Sequence, residues 1–316
     1  MIRHRRFQNQ IAESVFTLPV FIILSLLFCW GKELTVDFNS AMGLALTLLV
    51  AYVLAETNNT QQLIRIRTRM MASVWLLLST SFTFFHSAVA PLYCALALSV
   101  SLFLLFRCYQ MPNAVNGVFH SFLVLSLGSL CWIPMLCFIP FYYIYMATFL
   151  RCLSWRTFMS GIIGVIFPYW LWFGYAFWTN DFSAMQSHFG TIAQMDIVPL
   201  FLSESNMPVP RPYVISWLVV SFFALWSLVY YLRYNYNDKI RVRMMLYIYV
   251  CQTQFLFFSI LLVPQYFVFL MALYSATVSS LIAHYFSLTR SRFSNFLFIL
   301  FLLSCIAMLL INSQQV

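Results

Sequence analysis

The stretch LIRIRTRMMASVWLLLSTSFTFFHSAVAPLYCALALSVSLFLLFR, residues 63–107, decides the fold. Three arginines (Arg65, Arg67, Arg69) precede an apolar run over about 71–86, a short turn from His86 to Pro91, a second apolar run over about 88–106, and then Arg107. A helix crosses the hydrocarbon with roughly 20 mostly apolar residues, and Lys and Arg collect on the cytoplasmic side of such helices. Two runs bracketed by cations read as a pair of spans that leave the cytoplasm and return.

The same punctuation recurs outward from this stretch. Further apolar runs cover about 15–30, 40–55, 114–132, 135–150, 157–178, 213–232, 245–263, 266–286 and 293–311, which predicts about eleven spans in all. With a cytoplasmic N-terminus, the inner segments hold Arg3, Arg5 and Arg6, then Arg65, Arg67 and Arg69, then Arg107, then Arg151 and Arg156, then Arg233, Lys239, Arg241 and Arg243, and finally Arg290 and Arg292. Only Lys32 and Arg211 fall outside, so the expected C-terminus is outside. Between 114 and 150, Pro134 and Pro140 interrupt a run that is short for two crossings. One long tilted helix there would reverse every later segment and place Arg233 through Arg292 outside, so the charges exclude it. Two short crossings, or a re-entrant hairpin leaving nine, both keep the parity.

Composition agrees with this reading. The chain is 63% hydrophobic and 8% charged, with mean hydropathy +0.86, whereas a soluble domain carries about a quarter charged residues. Helix-length runs without ten-residue alternation exclude an outer-membrane barrel. The expected architecture is an all-α polytopic transmembrane bundle, one domain over residues 1–316. The net charge of +9 lies beside apolar spans, where cytoplasmic retention of cations accounts for it, and nucleic acid is not expected as a partner. Eight cysteines without CxxC or zinc spacing read as small buried hydrophobes. Arg3, Arg5 and Arg6 before an apolar stretch outline a secretory signal, but Trp30-Gly31-Lys32-Glu33 offers no small-residue cleavage site, so a retained first helix is expected.

Two sequence features concern packing. The span from Thr157 to Trp178 places Ser160 and Gly164 four residues apart, a small-xxx-small face; Pro168 predicts a kink, and Trp170, Trp172, Tyr175 and Trp178 form an outer aromatic belt. Separately, LIRIRTRMM at 63–71 is echoed by KIRVRMM at 239–245, each followed by an outward span, a short turn and a returning span. An internal repeat would produce this echo, and so would any two cytoplasmic loops rich in arginine, which is the reading adopted.

Residues able to carry chemistry are few. No Asp, Glu, Lys or Arg falls in the middle of a span, which argues against an ion-coupled carrier. His120, His284, Gln252 and Gln254 are the polar exceptions, each read first as an interhelical hydrogen-bonding group. The outer loop 179–212 gathers Asp181, His188, Asp196, Glu204 and Arg211. Asp181 is placed as an N-cap, and Phe182, Met185, Phe189, Ile192 and Met195 recur at helical spacing, predicting an amphipathic helix on the membrane surface. In a site there, Arg211 with Asp181 and Glu204 would hold an anionic substrate, and His188 and Asp196 would move protons. The same loop reads equally as a solvated cap over the bundle. No nucleotide, metalloprotease or hydrolase motif occurs, no metal site is expected, and no cofactor is expected.

At LIRIRTRMM, and again at LSWRTFMSGIIGVIFPYW (153–170), the chain resembles an uncharacterised family of multi-pass bacterial inner-membrane proteins of about this length, a domain of unknown function. The resemblance implies an inner-membrane location and brings no activity with it. Some of those proteins carry a carotene-cleaving oxygenase label, which would require histidines clustered about iron; His4, His86, His120, His188 and His284 are instead scattered in sequence and depth.

Three functions fit, in this order. The chain acts on or carries a lipid-linked envelope precursor, such as a glycan on a polyprenyl carrier; or it is a non-catalytic subunit that packs against other membrane subunits through small-residue faces; or it is a facilitator for a neutral or apolar solute. The lipid bilayer is a partner in each.

Overall fold

The computed structural model describes residues 7–14, 16–30, 38–86, 88–193, 200 and 209–313. Among them every regular element is helical. In chain order the α-helices are α1 (Phe7–Glu13), α2 (Thr17–Trp30), α3 (Phe38–Gln61), α4 (Met70–Ser81), α5 (Val89–Phe106), α6 (Val115–Cys131), α7 (Phe138–Thr148), α8 (Trp155–Thr179), α9 (Ser183–Ala193), α10 (Arg211–Tyr234), α11 (Ile240–Leu262), α12 (Phe267–Leu288) and α13 (Arg292–Ser313). Seven of these, α3, α5, α8 and α10 to α13, are long and apolar enough to cross a membrane; α4, α6 and α7 are shorter apolar helices, and α1 meets α2 at a 92° bend. The chain is a helical membrane protein.

At the centre stands α12, whose every residue from Leu270 to Ser287 is buried. A helix apolar on all faces belongs in the interior, and its many Ala, Ser and Thr residues let α4, α5, α10 and α11 approach closely. Three of its hydroxyls bond within the helix, Ser275 donating to the Met271 carbonyl at 2.8 Å, Thr277 to Tyr274 at 2.9 Å and Ser279 to Ala276 at 2.7 Å, while the Tyr274 hydroxyl donates to Ser221 on α10 at 3.1 Å.

The most extensive helix pair is α6 with α8. Ser160 donates to the Val115 carbonyl at 2.7 Å, and a Cβ at Gly164 would lie 2.7 Å from the Phe119 carbonyl oxygen. The small-residue face expected from the sequence is therefore real, and it is filled within the chain. The helix begins at a reciprocal cap in which Ser154 and Thr157 exchange hydrogen bonds, and it runs through Pro168 without a break.

Between 114 and 150 the chain doubles back. Trp132 adopts an extended conformation after α6 and a 3-10 turn over Ile133–Cys137 follows. Phe122 then meets the rings of Tyr142 and Tyr143 at 5.7 and 4.9 Å, and Gln110 N–H donates to the Leu150 carbonyl at 2.8 Å. A single long helix is excluded, as the charges required. The turn reaches the start of α12, where Trp132 stacks on Phe269 at 5.1 Å.

Contacts between loops sort them into two ends of the bundle. At one end Thr68 donates to the Ala12 carbonyl at 2.6 Å, Gln8 donates to the Phe286 carbonyl and the Thr289 hydroxyl, Arg65 pairs with Asp238, Arg241 lies over the Tyr109 ring, and Ser154 donates to the Pro112 carbonyl. At the other, Thr83 and Ser81 bond to Asn312, Phe84 meets Tyr213 and Phe267, and Leu200 N–H donates to the Leu261 carbonyl. The first group is the set of segments the charges place together, and the second is the opposite set.

One reading of the sequence needs correcting. Cys94, Cys108, Cys152 and Cys305 are buried, but Cys131 and Cys137 are exposed at the α6–α7 turn. Those two lie where the chain reverses at the surface of the bundle, and apolar flanks alone do not separate an exposed position from a core one.

Candidate functional site

The outer loop is only partly described. Asp196 and Glu204 lie outside the described residues. Asp181 is exposed and accepts from the backbone N–H and hydroxyl of Ser183, at 2.9 and 2.6 Å, just before α9. These bonds favour the carboxylate and lower its pKa. On α9, His188 is tucked against Trp172 and Tyr169, with ring centroids 5.1 and 6.2 Å away. Desolvation there lowers its pKa, so it is a neutral imidazole at pH 7. A helix forms where the spacing predicts one, and Phe182, just before it, and Phe189, on it, pack on Phe173 and Tyr169 of α8. Arg211 opens α10 and is exposed. Among the described residues no hydrogen bond or ion pair joins Asp181, His188 and Arg211.

Inside the bundle the polar exceptions separate. His120 is exposed and bonds its own helix at Asn116. Gln252 is fully buried with both amide atoms unpartnered, while Gln254 is half-buried.

A cluster does form at the end that holds Arg65 and Asp238. After α3, Gln62 takes a left-handed conformation with φ 52° and closes the helix. Asn58 then pins the loop that follows, donating to the Thr68 carbonyl at 2.8 Å and accepting from Ile64 N–H at 3.0 Å. This aims Arg65 across the bundle, where its Nε lies 2.7 Å from Asp238 Oδ1, between α10 and α11. The second carboxylate oxygen lies 3.3 Å from His284 Nε2, on α12. The Asp238 and His284 side chains are 1% and 4% exposed, and Arg65 is 47% exposed. Burial would raise the Asp238 carboxyl; His284 and then Arg65 outweigh it, through hydrogen bonding and charge, and hold its pKa below the ordinary value. The His284 ring is fixed edge-on against Tyr231 at 5.6 Å.

Two cavities meet at this pair. The larger, about 920 Å³, lies between the two echoed arginine segments and is lined by Arg65, Arg67, Lys239 and Arg241, with amides from Asn58 and Gln61. Arg241 also donates to the Gln61 side chain. Four cations face one carboxylate, Asp238. The smaller, about 300 Å³, lies beyond Arg65 and Asp238 and is walled by Tyr230, Tyr231, Tyr234, Asn237 and His284.

Compared with protein families, curated proteins and solved structures, the chain matches none.

Function must therefore be argued from these side chains. From the sequence His284 reads as an interhelical hydrogen-bonding group, and Asp238 carries no assignment. The available signal was the echo of IRIR and IRVR, since the two copies flank the same cavity. No local spacing links Arg65 to Asp238 or Asp238 to His284.

Proposed function

We propose that this is an eleven-span protein of the bacterial inner membrane, N-terminus cytoplasmic and C-terminus outside, whose basic cavity binds the phosphate of a lipid-linked envelope precursor such as a glycan on a polyprenyl carrier. Seven long helices, the bent α1–α2 pair and three shorter apolar helices supply the spans, the contacts between loops support the alternation of ends, and the charges set which end is cytoplasmic. The observation that carries the functional reading is the convergence of Arg65, Arg67, Lys239 and Arg241, from segments about 170 residues apart, on one cavity. Guanidinium groups bind phosphate oxygens in a fork, and the flanking amide of Gln61 adds a donor. Arg67 and Lys239 are exposed and make no ion pair with a described residue, so they are available to a ligand. In the proposed topology the arginine segments flank the cytoplasmic ends of the spans, where lipid phosphates sit, which supports a lipid phosphate as the cavity's ligand.

The test is binding of a long-chain polyprenyl phosphate to purified protein in lipid nanodiscs, followed by native mass spectrometry. Wild type binds, and Arg67→Ala with Arg241→Ala weakens binding by about ten-fold or more, the loss of two charge-assisted contacts. Arg211→Ala and His188→Ala, in the outer loop, bind as wild type does. Equal binding by the cavity variant, or none by wild type, overturns the reading. A loss confined to the outer-loop variants would return the site to residues 179–212.

A further inference from the structure

The smaller cavity differs chemically from the basic one beside it. Its charges are already matched: Asp238 faces Arg65 on one side and His284 on the other. What it offers a ligand is neutral polar chemistry and aromatic surface. Tyr230 and Tyr234 lie with ring centroids 4.7 Å apart, Tyr231 meets His284 edge-on, and Asn237 contributes an exposed amide at the mouth. The Nε2 of the buried His284 ring faces Asp238 at 3.3 Å, while its Nδ1 has no hydrogen-bond partner among the described residues, and a buried polar atom without a partner calls for a ligand or water.

These features select among occupants. A free phosphate would face the Asp238 carboxylate without a cation to spare. An apolar chain would strand Asn237, Asp238 and His284. A neutral ring bearing hydroxyl groups suits the cavity, since it presents donors and acceptors at its edge and an apolar face to tyrosine rings.

Arg65 and Asp238 line both cavities, so their ion pair is a shared wall. A molecule with a phosphate in the basic cavity could place a group joined directly to that phosphate on the other side of the pair. We infer that the cavity walled by Tyr230, Tyr231, Tyr234 and Asn237 is a glycosyl subsite, holding the sugar of a lipid phosphosugar whose phosphate lies among Arg67, Lys239 and Arg241. This rests on the phosphate reading of the basic cavity and adds to it the place of the attached sugar and the residues that hold it.

The experiment compares two probes in nanodiscs by native mass spectrometry: polyprenyl phosphate and polyprenyl phosphohexose. Tyr234→Ala and Asn237→Ala alter exposed side chains and leave the fold intact; His284→Gln reports on the buried ring. Each of the three weakens phosphohexose binding about five-fold, as expected for one lost hydrogen bond or ring contact, and leaves polyprenyl phosphate binding within about two-fold. Because each variant is compared with wild type on the same probe, the charge difference between probes cancels. If Tyr234→Ala and Asn237→Ala bind both probes as wild type does, or weaken both equally, the glycosyl subsite is overturned while the phosphate site stands. If wild type binds neither probe, the phosphate reading fails first.

Discussion

Asp238 shows how much of this molecule turns on single side chains. It is a carboxylate with 1% of its side chain exposed, held between a half-exposed guanidinium and a buried imidazole. The usual topology rule gives carboxylates little weight, so from sequence it had no more meaning than Glu13 or Glu56. Its partners lie 173 and 46 positions away, Arg65 and His284, distances at which no motif operates. Its pKa is depressed in the folded state, so the unfolded chain takes up the proton first as pH falls. The pair's contribution is thus full above the ordinary carboxylate range and disappears as pH drops through the lower, folded value. Asp238→Asn should cost about 1–2 kcal/mol at neutral pH, less than a fully buried pair because Arg65 is screened by water. Thermal unfolding in detergent checks this: the gap between wild type and variant should close below about pH 4. A gap that persists unchanged into acid would mean the carboxylate's charge is not what stabilises the cluster.

At the scale of elements, much was legible. The amphipathic helix α9, the reciprocal turn between α6 and α7, and the small-residue face of α8 all follow from local spacing. The partner of that face does not, because any helix can fill a small-xxx-small groove. Here α6 fills it, through Ser160 on the Val115 carbonyl and Gly164 against Phe119. A face so used is not a surface for another subunit. Gly164→Leu would bring a Cβ to 2.7 Å from a backbone oxygen, a clash no rotamer relieves. The expected loss is about 1–3 kcal/mol, seen as a lower temperature of aggregation after detergent extraction. Cys152→Ser, at a site equally buried, keeps the shape and should cost about 1 kcal/mol. If Gly164→Leu matches wild type, α6 and α8 do not cross as tightly as described.

At the scale of the whole molecule, the placement of charges and the contacts between loops can be set side by side. Charge placement along the sequence divides the loops by the side of the membrane on which cations are retained, and side-chain contacts divide them by which end of the bundle they touch. The divisions coincide, down to Thr68 with Ala12 and Asn312 with Ser81. The echo gains meaning on the same scale. In both copies a long helix, α3 or α10, is followed by arginines, a helix, a 3-10 turn (Thr83–Phe85 or Pro264–Tyr266) and a further helix; the first copy's arginines lie in the loop before α4, whereas Arg241 and Arg243 lie in the first turn of α11. Both arginine segments end on one cavity, a convergence the sequence could not distinguish from two ordinary cytoplasmic loops. The orientation leads to a direct test. Reporter fusions after Arg69, Arg107, Arg156, Lys239 and Arg292 should report cytoplasm, and fusions within 179–212 and at the C-terminus should report the outside. The exposed Cys137, at the α6–α7 turn, separates eleven crossings from nine plus a re-entrant hairpin. In a variant keeping it as the lone cysteine, a membrane-impermeant maleimide added to intact spheroplasts should label it if the hairpin crosses fully. Labelling only after the membrane is opened would make the hairpin re-entrant, and a cytoplasmic C-terminus would end the odd-numbered topology altogether.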